Sequence, residues 1–303
     1  MNDRPIRVVA VVGAGTMGRG IAQVAAQAGY ASVLYDVDPE IAHAARATIE
    51  ATLDEGIARG KVTAEEKSRA LEGLRIESDL AKAVVDADLV VEAVPEDLAL
   101  KCDLFGELDA RAPSTAILAS NTSSLSIAAI AEVAEQRERI LGIHFFNPVH
   151  LMKLVELVVA PETEGRVVER VRSFAESLGK RPIVVRDSPG FATSRLGLTL
   201  GLEAMRMLEE GVATVEDIDL AMQLGYNHPM GPLKLTDLVG LDVRLAIAEH
   251  LARSIDGRRF APPEILRRLV AEGKLGKKSG EGFYDWREGK AVPKAIGLEG
   301  ERS

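Results

Sequence analysis

The strongest constraint on the fold comes from a glycine-rich turn near the start of the chain. The apolar run RVVAVV at 7–12 leads directly into G-x-G-x-x-G, and an alanine-rich, helix-like segment follows. In dinucleotide-binding units the first glycine permits a tight turn, the second lets backbone approach a pyrophosphate, and the third lets helix pack on strand. The helix N-terminus adds unpaired N–H groups and partial positive charge. The predicted cofactor-binding turn comprises Gly13, Ala14, Gly15, Thr16, Met17 and Gly18.

An acidic residue ends the second predicted strand. Asp36 follows the first glycine by the interval of about 20 residues that such units use for a ribose-binding carboxylate. A carboxylate there binds the ribose hydroxyls and repels a 2′-phosphate, which favours NAD over NADP as the cofactor. The alternative is an ordinary strand-end aspartate beside a glycine-rich turn.

Strand-like and helix-like segments alternate up to residue 187, and only helix-like segments follow the break signal Ser188-Pro189-Gly190. We therefore predict an α/β Rossmann-type domain with a mostly parallel sheet over 1–187, and an all-α domain over 188–303. The predicted strands are 7–12, 32–35, 89–94, 116–119 and 140–145, with weaker ones at 75–76, 154–159 and 183–185. The predicted helices are 16–28, 39–59, 97–110, 127–133, 196–209, 214–223, 233–255 and 263–272.

Composition restricts the class of protein further. The 303 residues carry a formal net charge of −9, which gives no general attraction to nucleic acid or to an anionic membrane. Cys102 is the one cysteine, so an intrachain disulfide framework is excluded and a reducing compartment is favoured. No apolar run has the length of a membrane span, and the start of the chain does not resemble a signal peptide. We expect a cytoplasmic protein, and no spacing of Cys, His and carboxylates predicts a metal site.

A histidine and a glutamate stand out in two neighbouring apolar segments. His144 opens the run HFFNP, and Glu156 interrupts the apolar run LVELVV. A carboxylate in an apolar strand requires a partner or a proton. Because the two residues lie symmetrically about His150, antiparallel pairing of their strands would make them cross-strand neighbours. The carboxylate would fix the imidazole tautomer, and the other ring nitrogen would be available as a general base. The alternative is a buried His–Glu pair that only holds two strands together.

These motifs, taken in order, resemble the L-3-hydroxyacyl-CoA dehydrogenases, a family that includes 3-hydroxybutyryl-CoA dehydrogenases. The resemblance extends over nearly the whole chain and is carried most specifically by HFFNP and the His-to-Glu spacing. The other matching segments are the glycine turn, Asp36, SNTSS at 120–124, residues 152–156, SPGF at 188–191 and GEGFY at 280–284. The resemblance implies oxidation of the 3-hydroxyl of an acyl-CoA to a 3-ketoacyl-CoA with NAD+, or the reverse, in fatty acid or other lipid metabolism.

The resemblance also implies roles for individual residues. His144 would be the general base, Glu156 its orienting carboxylate, and Ser123 the serine that bonds the reacting oxygen. The further cofactor contacts would be Glu96, Lys101, Ser123, Asn147 and Lys278. The helical C-terminal domain would close the acyl pocket and form much of a homodimer interface.

One candidate catalytic position departs from the family pattern. After SPGF the family has an asparagine where this chain has Ser194, whose side chain is shorter and lacks the second amide donor. Losing such a donor to the reacting oxygen can cost ~3 kcal/mol of barrier.

Two other functions stay open. One is an NAD-dependent dehydrogenase of a free hydroxy acid, with Arg195 binding the carboxylate, and the other is a non-catalytic NAD-binding protein on the same fold.

Overall fold

The computed structural model describes residues 5–294 and divides the chain into two compact units. The first unit ends at Phe191, and the second begins at Ala192. The strands of the first unit are β1 (Val8–Val12), β2 (Ala31–Tyr35), β3 (Leu74–Glu77), β4 (Leu89–Glu92), β5 (Ile117–Ser120), β6 (Ile140–Phe145), β7 (Leu154–Val159) and β8 (Arg181–Arg186). Its helices are α1 (Thr16–Gln27), α2 (Pro39–Ala58), α3 (Ala64–Gly73), α4 (Leu80–Val84), α5 (Leu98–Arg111), α6 (Ile127–Ala131) and α7 (Gly165–Ser177).

The first unit is built on one eight-stranded sheet in the order β3-β2-β1-β4-β5-β6-β7-β8. Strands β1 to β6 pair in parallel. Strand β7 pairs antiparallel with β6, and β8 pairs in parallel with β7. The predicted α/β fold with a mostly parallel sheet is confirmed.

Helices cover both faces of this sheet. Alternate side chains of β1 enter two different hydrophobic clusters: Val9 and Val11 pack with α1, α2 and α7, whereas Ala10 and Val12 pack with α4, α5 and α6. A strand whose two faces are both buried needs apolar residues at every position, because successive side chains point to opposite sides. This requirement explains why β1, β4 and β6 appear in the sequence as largely apolar runs, with Glu92 and His144 as the exceptions.

Three helices of the first unit were absent from the sequence-based prediction. Helix α7 buries Val167, Val171 and Phe174, an amphipathic spacing that stands among many charged residues. Helix α3 begins with a complete capping box, in which Thr63 accepts from the Glu66 N–H and Glu66 accepts from the Thr63 N–H. The apolar spacing of α7 and the capping box of α3 can both be recognised in the sequence. Helix α4 is a single short segment with little periodic signal.

The second unit is helical, as predicted. Its helices are α8 (Thr193–Glu209), α9 (Val215–Gly225), α10 (Pro232–Val239), α11 (Leu241–Ser254) and α12 (Glu264–Ala271). The prediction of one helix over 233–255 is wrong, because Gly240 adopts φ +105° and separates α10 from α11. The structure also adds a short antiparallel ribbon of β9 (Tyr284–Asp285) and β10 (Val292–Pro293), which the sequence did not predict.

Two buried aspartates fasten the ribbon segment to the helices. Asp219 accepts the Tyr284 hydroxyl at 2.7 Å. Asp237 accepts the backbone N–H groups of Phe283 and Tyr284 and the indole N–H of Trp286. Burial raises the pKa of both carboxyls above the ordinary value, although these hydrogen bonds oppose the rise. Both aspartates are therefore anchors whose charge is costly in this position.

Candidate active site

The glycine turn connects β1 to α1 and leaves room for a ligand. A Cβ on Gly13, which has φ +100°, would lie 2.8 Å from the backbone carbonyl of Ala93. A Cβ on Gly18 would lie 1.7 Å from the carbonyl oxygen of Gly13, so the third glycine allows the helix to approach the turn. A Cβ on Gly15 would meet nothing within 4 Å. Because Gly15 is the N-cap of α1 and supplies no side-chain acceptor, the turn fits a pyrophosphate at the helix N-terminus.

Asp36 lies directly after β2 and faces the same turn. Its carboxylate accepts the N–H of Ala14 at 2.7 Å and the N–H of Asp38 at 3.1 Å. Asp36 also lines a cavity of about 980 Å³ that runs from the glycine turn past α4 to α5. Apolar side chains such as Leu80 and Leu104 form much of its far end. The size and lining of this cavity fit the adenosine half of a dinucleotide, and the carboxylate is available to ribose hydroxyls.

His144 and Glu156 face each other across the antiparallel pair β6 and β7, as the sequence predicted. They are register partners, and His144 Nδ1 lies 2.8 Å from Glu156 Oε2. The Glu156 side chain is fully buried. Since a carboxylate only accepts, Nδ1 carries the hydrogen of this bond, and in the neutral imidazole Nε2 keeps the lone pair. The ring centroid of His144 is 4.4 Å from that of Phe146 and 6.0 Å from that of Phe191.

A recess of about 340 Å³ brings several predicted site residues together. Its lining includes Met17 from the glycine turn, Glu96, Ser123, His144 and Asn147. His144 lies near the carboxyl end of β6, and the other four residues follow the carboxyl ends of β1, β4, β5 and β6, where open α/β sheets bind their ligands. The recess therefore combines a hydroxyl and an imidazole with a residue of the glycine turn.

Glu96 organises the loop that carries Ser123. Its Oε1 accepts the Thr122 hydroxyl at 2.6 Å, the Ser123 N–H at 2.9 Å and the Ser123 hydroxyl at 3.1 Å. It also accepts the Ser124 N–H at 3.2 Å. Burial raises the pKa of Glu96, but the Thr122 bond and the charge of Lys101 outweigh burial, so its pKa lies below the ordinary value. Glu96 is therefore a stable anionic acceptor next to the reactive recess.

Three predicted site residues lie elsewhere. Lys101 is buried, and its ammonium group contacts Glu92 at 2.5 Å instead of lining either of the two cavities described above. Lys278 is in the second unit, where its ammonium group pairs with Asp242 at 2.5 Å. Ser194 is in the first turn of α8, also in the second unit. The roles that the resemblance implies for these residues stay predictions.

The structure also adds site residues that the sequence reasoning missed. Glu92 is fully buried at the end of β4, and Asn121 accepts the Phe145 N–H at 2.9 Å. The Lys180 ammonium group donates to the carbonyls of Val149 and Met152, which holds the segment after HFFNP. The signal for Glu92 was present, because a glutamate within the apolar run LVVEAV is the same anomaly that identified Glu156.

The glycine turn, the Asp36 carboxylate beside it and the carboxylate-paired histidine fit one class of protein, the NAD-dependent dehydrogenases. Within residues 5–294 the structure has no helix of sufficient length and apolar character to cross a membrane. Comparison with known families then specifies the type. Residues 8–188 match the NAD binding domain of 3-hydroxyacyl-CoA dehydrogenase, and residues 190–286 match its C-terminal domain. The chain belongs to the 3-hydroxyacyl-CoA dehydrogenase family.

Individual relatives agree with this assignment. A probable 3-hydroxybutyryl-CoA dehydrogenase of Bacillus subtilis is 44% identical over 93% of this chain and 98% of its own length. A 3-hydroxybutyryl-CoA dehydrogenase of Mycobacterium tuberculosis is 44% identical over 93% of this chain and 99% of its own. The crystal structure of (S)-3-hydroxybutyryl-CoA dehydrogenase from Ralstonia eutropha superposes with a TM-score of 0.89 at 39% identity, covering 95% of this chain and 100% of that one.

Proposed function

We propose that this enzyme oxidises the 3-hydroxyl of a short-chain L-3-hydroxyacyl-CoA such as 3-hydroxybutyryl-CoA, and reduces the matching 3-ketoacyl-CoA in reverse. The observation that carries the proposal is the 2.8 Å contact between His144 Nδ1 and buried Glu156. It presents Nε2 as a base in a recess shared with Ser123 and the glycine turn. The names of the two curated relatives supply the acyl group.

In this mechanism His144 removes the proton of the substrate hydroxyl. Nε2 takes the proton, and the positive charge that develops on the ring is stabilised by the Glu156 carboxylate. Phe146 packs against the ring at 4.4 Å between centroids and limits the orientations available to the imidazole. In the reducing direction the same imidazolium returns the proton to the oxygen.

Ser123 and Ser194 are the proposed hydrogen-bond donors to the reacting oxygen. The Ser123 hydroxyl donates to Glu96 in this structure, and it would turn toward the substrate oxygen as negative charge develops there. Ser194 would contribute a single, shorter donor in place of an amide.

The cofactor-binding residues follow from the shape of the first unit. The turn 13–18 would hold the pyrophosphate and Asp36 the adenosine ribose, which discriminates against NADP. Glu96 and Asn147 line the recess where the nicotinamide end would lie, and Lys101 and Lys278 complete the proposed set. When bound, NAD+ supplies the hydride acceptor for C3.

A second polar recess is the proposed place for part of the CoA moiety. It has a volume of about 170 Å³ and is lined by Arg19, Thr48 and Thr52, among others. Asn147 lines both this recess and the one that contains His144. The guanidinium suits a phosphate, whereas the two threonine hydroxyls donate to helix carbonyls. The shared residue suits a substrate that extends from one recess to the other.

The experiment that tests the proposal is an initial-rate comparison. Acetoacetyl-CoA and longer 3-ketoacyl-CoA esters would be assayed with NADH and NADPH, beside free 3-keto acids. We expect turnover of the CoA esters with NADH, and loss of about 10²-fold or more of kcat in His144→Gln with little change in NADH affinity. Turnover confined to free acids would instead favour the hydroxy-acid dehydrogenase. NADH binding without turnover of any ester would favour the non-catalytic protein.

We also propose that the helical unit forms a homodimer. Large apolar side chains are exposed on its helices, with Leu196 and Leu200 one turn apart on α8 and Leu220 and Leu224 one turn apart on α9. Repeated exposed apolar pairs of this kind are typical of an interface. Light scattering after gel filtration should give twice the chain mass, and Leu224→Arg should shift the protein toward monomer.

Two further assignments belong to the same proposal. Residues 1–187 would be the NAD-binding domain, and residues 188–303 the substrate and dimerisation domain. The cytoplasm is the proposed location, in keeping with a single cysteine that forms no disulfide. Fractionation of cells that express the tagged chain would test the location.

A further inference from the structure

Glu92 is a buried carboxylate to which the mechanism above gives no role. It ends β4, its side chain is fully buried, and it receives three hydrogen bonds. Oε1 accepts from the Lys101 ammonium group at 2.5 Å and from the Val94 N–H at 2.7 Å. Oε2 accepts from the Ser120 hydroxyl at 2.6 Å. Both carboxylate oxygens are therefore used.

Two connections lead from Glu92 to the loop of Ser123. The first connection passes through Lys101, whose ammonium group lies 3.6 Å from Oε2 of Glu96. The other oxygen of Glu96, Oε1, accepts hydrogen bonds from the N–H and the hydroxyl of Ser123. Along the second, the Ser120 oxygen accepts the Thr122 N–H at 3.2 Å. One buried group is thus connected to both ends of the same short loop.

We propose that Glu92 is a positioning residue for the reaction, which sets the place of the Ser123 hydroxyl through Lys101 with Glu96 and through Ser120. The proposal rests on the proposed role of Ser123. Glu92 binds the Lys101 ammonium group at 2.5 Å and leaves it only 3.6 Å from Oε2 of Glu96, so Oε1 of Glu96 remains over the loop. Loss of the Glu92 charge leaves Glu96 as the nearest carboxylate to Lys101, and Glu96 then moves off Ser123.

The burial of these charges supports a functional role. A buried ion pair contributes little to stability compared with packed apolar side chains, because desolvation offsets the attraction. The neighbouring positions Val90 and Val91 show that this strand packs well with apolar residues. A glutamate at the end of the same strand, next to the recess, is therefore better explained by the site than by the fold.

A second buried ion pair in the same unit provides a matched control. Asp109 lies on α5, the helix that carries Lys101, and contacts the buried Arg139 at 2.7 Å. Neither residue lines the recess of His144. Asp109→Asn therefore breaks a comparable pair without touching the loop of Ser123.

The test compares Glu92→Gln with Asp109→Asn. We expect Glu92→Gln to lower kcat for acetoacetyl-CoA by about 10-fold or more, with KM and NADH affinity within about 3-fold. Asp109→Asn should keep kcat. Wild-type kcat in folded Glu92→Gln, or equal losses in Glu92→Gln and Asp109→Asn, would overturn the proposal.

Hydrogen exchange in the cofactor-free protein tests the positioning role of Glu92 independently of whether the proposed reaction takes place. The amides of Ser123 and Ser124 donate to Glu96, so Glu92→Gln should speed their hydrogen exchange at least 10-fold and Asp109→Asn should not. This result would stand even if the wild-type protein did not turn over the CoA ester. If Glu92→Gln does not fold, Ser120→Ala removes one connection and should speed exchange at Thr122 and lower kcat about 3-fold. No change in either quantity would reject the positioning role.

Discussion

Replacing Glu156 by glutamine removes one charge from the proposed base while keeping nearly the same volume. The amide oxygen of the substituted side chain can still accept the Nδ1 hydrogen, so the imidazole tautomer can be retained. What is lost is the negative charge 2.8 Å from the ring, in a position without solvent exposure. That charge matters most when His144 has taken the substrate proton and the ring is positive.

The size of the effect follows from the geometry. Unit charges about 4 Å apart attract by about 4 kcal/mol at the effective dielectric constant of 20 that describes protein sites best. A neutral hydrogen bond of about 1 kcal/mol survives in the variant. The net loss is about 3 kcal/mol at the transition state, and each 1.36 kcal/mol changes a rate tenfold. We therefore expect kcat to fall about 100-fold.

The assay is the oxidation of NADH by acetoacetyl-CoA, followed by absorbance, together with NADH affinity from fluorescence. We expect NADH affinity to change by less than about 3-fold, because the glycine turn and Asp36 are untouched. Asp109→Asn, which removes a charge from a buried pair outside the recess, should retain wild-type kcat. A folded Glu156→Gln enzyme within 3-fold of wild-type kcat would refute the argument that this carboxylate stabilises the imidazolium.

Three further substitutions have defined outcomes. Asp36→Ala should weaken NADH binding at least 10-fold and bring NADPH closer to NADH in kcat/KM, and an unchanged preference would contradict the ribose role. Gly15→Ala should leave the unfolding free energy within about 0.5 kcal/mol but weaken NADH binding, because its Cβ meets only open space in the turn. Tyr284→Phe removes a donor from Asp219 and should lower the unfolding free energy by about 1–3 kcal/mol, whereas the exposed Tyr226→Phe should not. Burial raises the pKa of Asp219 in the folded protein above its value of about 4 in the unfolded chain. The contribution of Asp219 to the free energy of unfolding is therefore complete below about pH 4 and declines as pH rises through the folded pKa. Because the Tyr284 hydroxyl stabilises the ionised form of Asp219, the Tyr284→Phe loss measured by denaturation should be larger at pH 7 than at pH 4.

Much of the fold is legible in the sequence because buried parallel strands leave uninterrupted apolar runs. The His144 and Glu156 register was also predictable, since antiparallel strands joined by a short loop pair symmetrically about its centre. The break at Gly240 was not predicted, because the helical periodicity continues on both sides of it and a single glycine is often tolerated within a helix. Helix α7 was missed because its charged residues conceal a narrow apolar stripe.

The site was less predictable where its contacts join distant segments. Asp36 and the glycine turn follow a local spacing rule, but the partner of Lys101 depends on how α5 packs against the end of β4. No spacing rule in the sequence joins a lysine on a helix to a glutamate on the preceding strand. Family resemblance places Lys101 at the cofactor, whereas its ammonium group here contacts the buried Glu92 and lies 3.6 Å from Glu96.

Two strands of the sheet carry a glutamate that is completely buried, and each of these glutamates contacts a cationic or basic side chain. Glu156 on β7 contacts His144, and Glu92 on β4 contacts Lys101 next to Glu96. Each buried charge lowers the stability that apolar packing could provide at that position. The anomaly in an apolar run is thus informative in itself, because folding alone does not favour it. In this chain the same reasoning that identifies Glu156 from the sequence also applies to Glu92, and the structure connects both residues to groups that would contact the substrate.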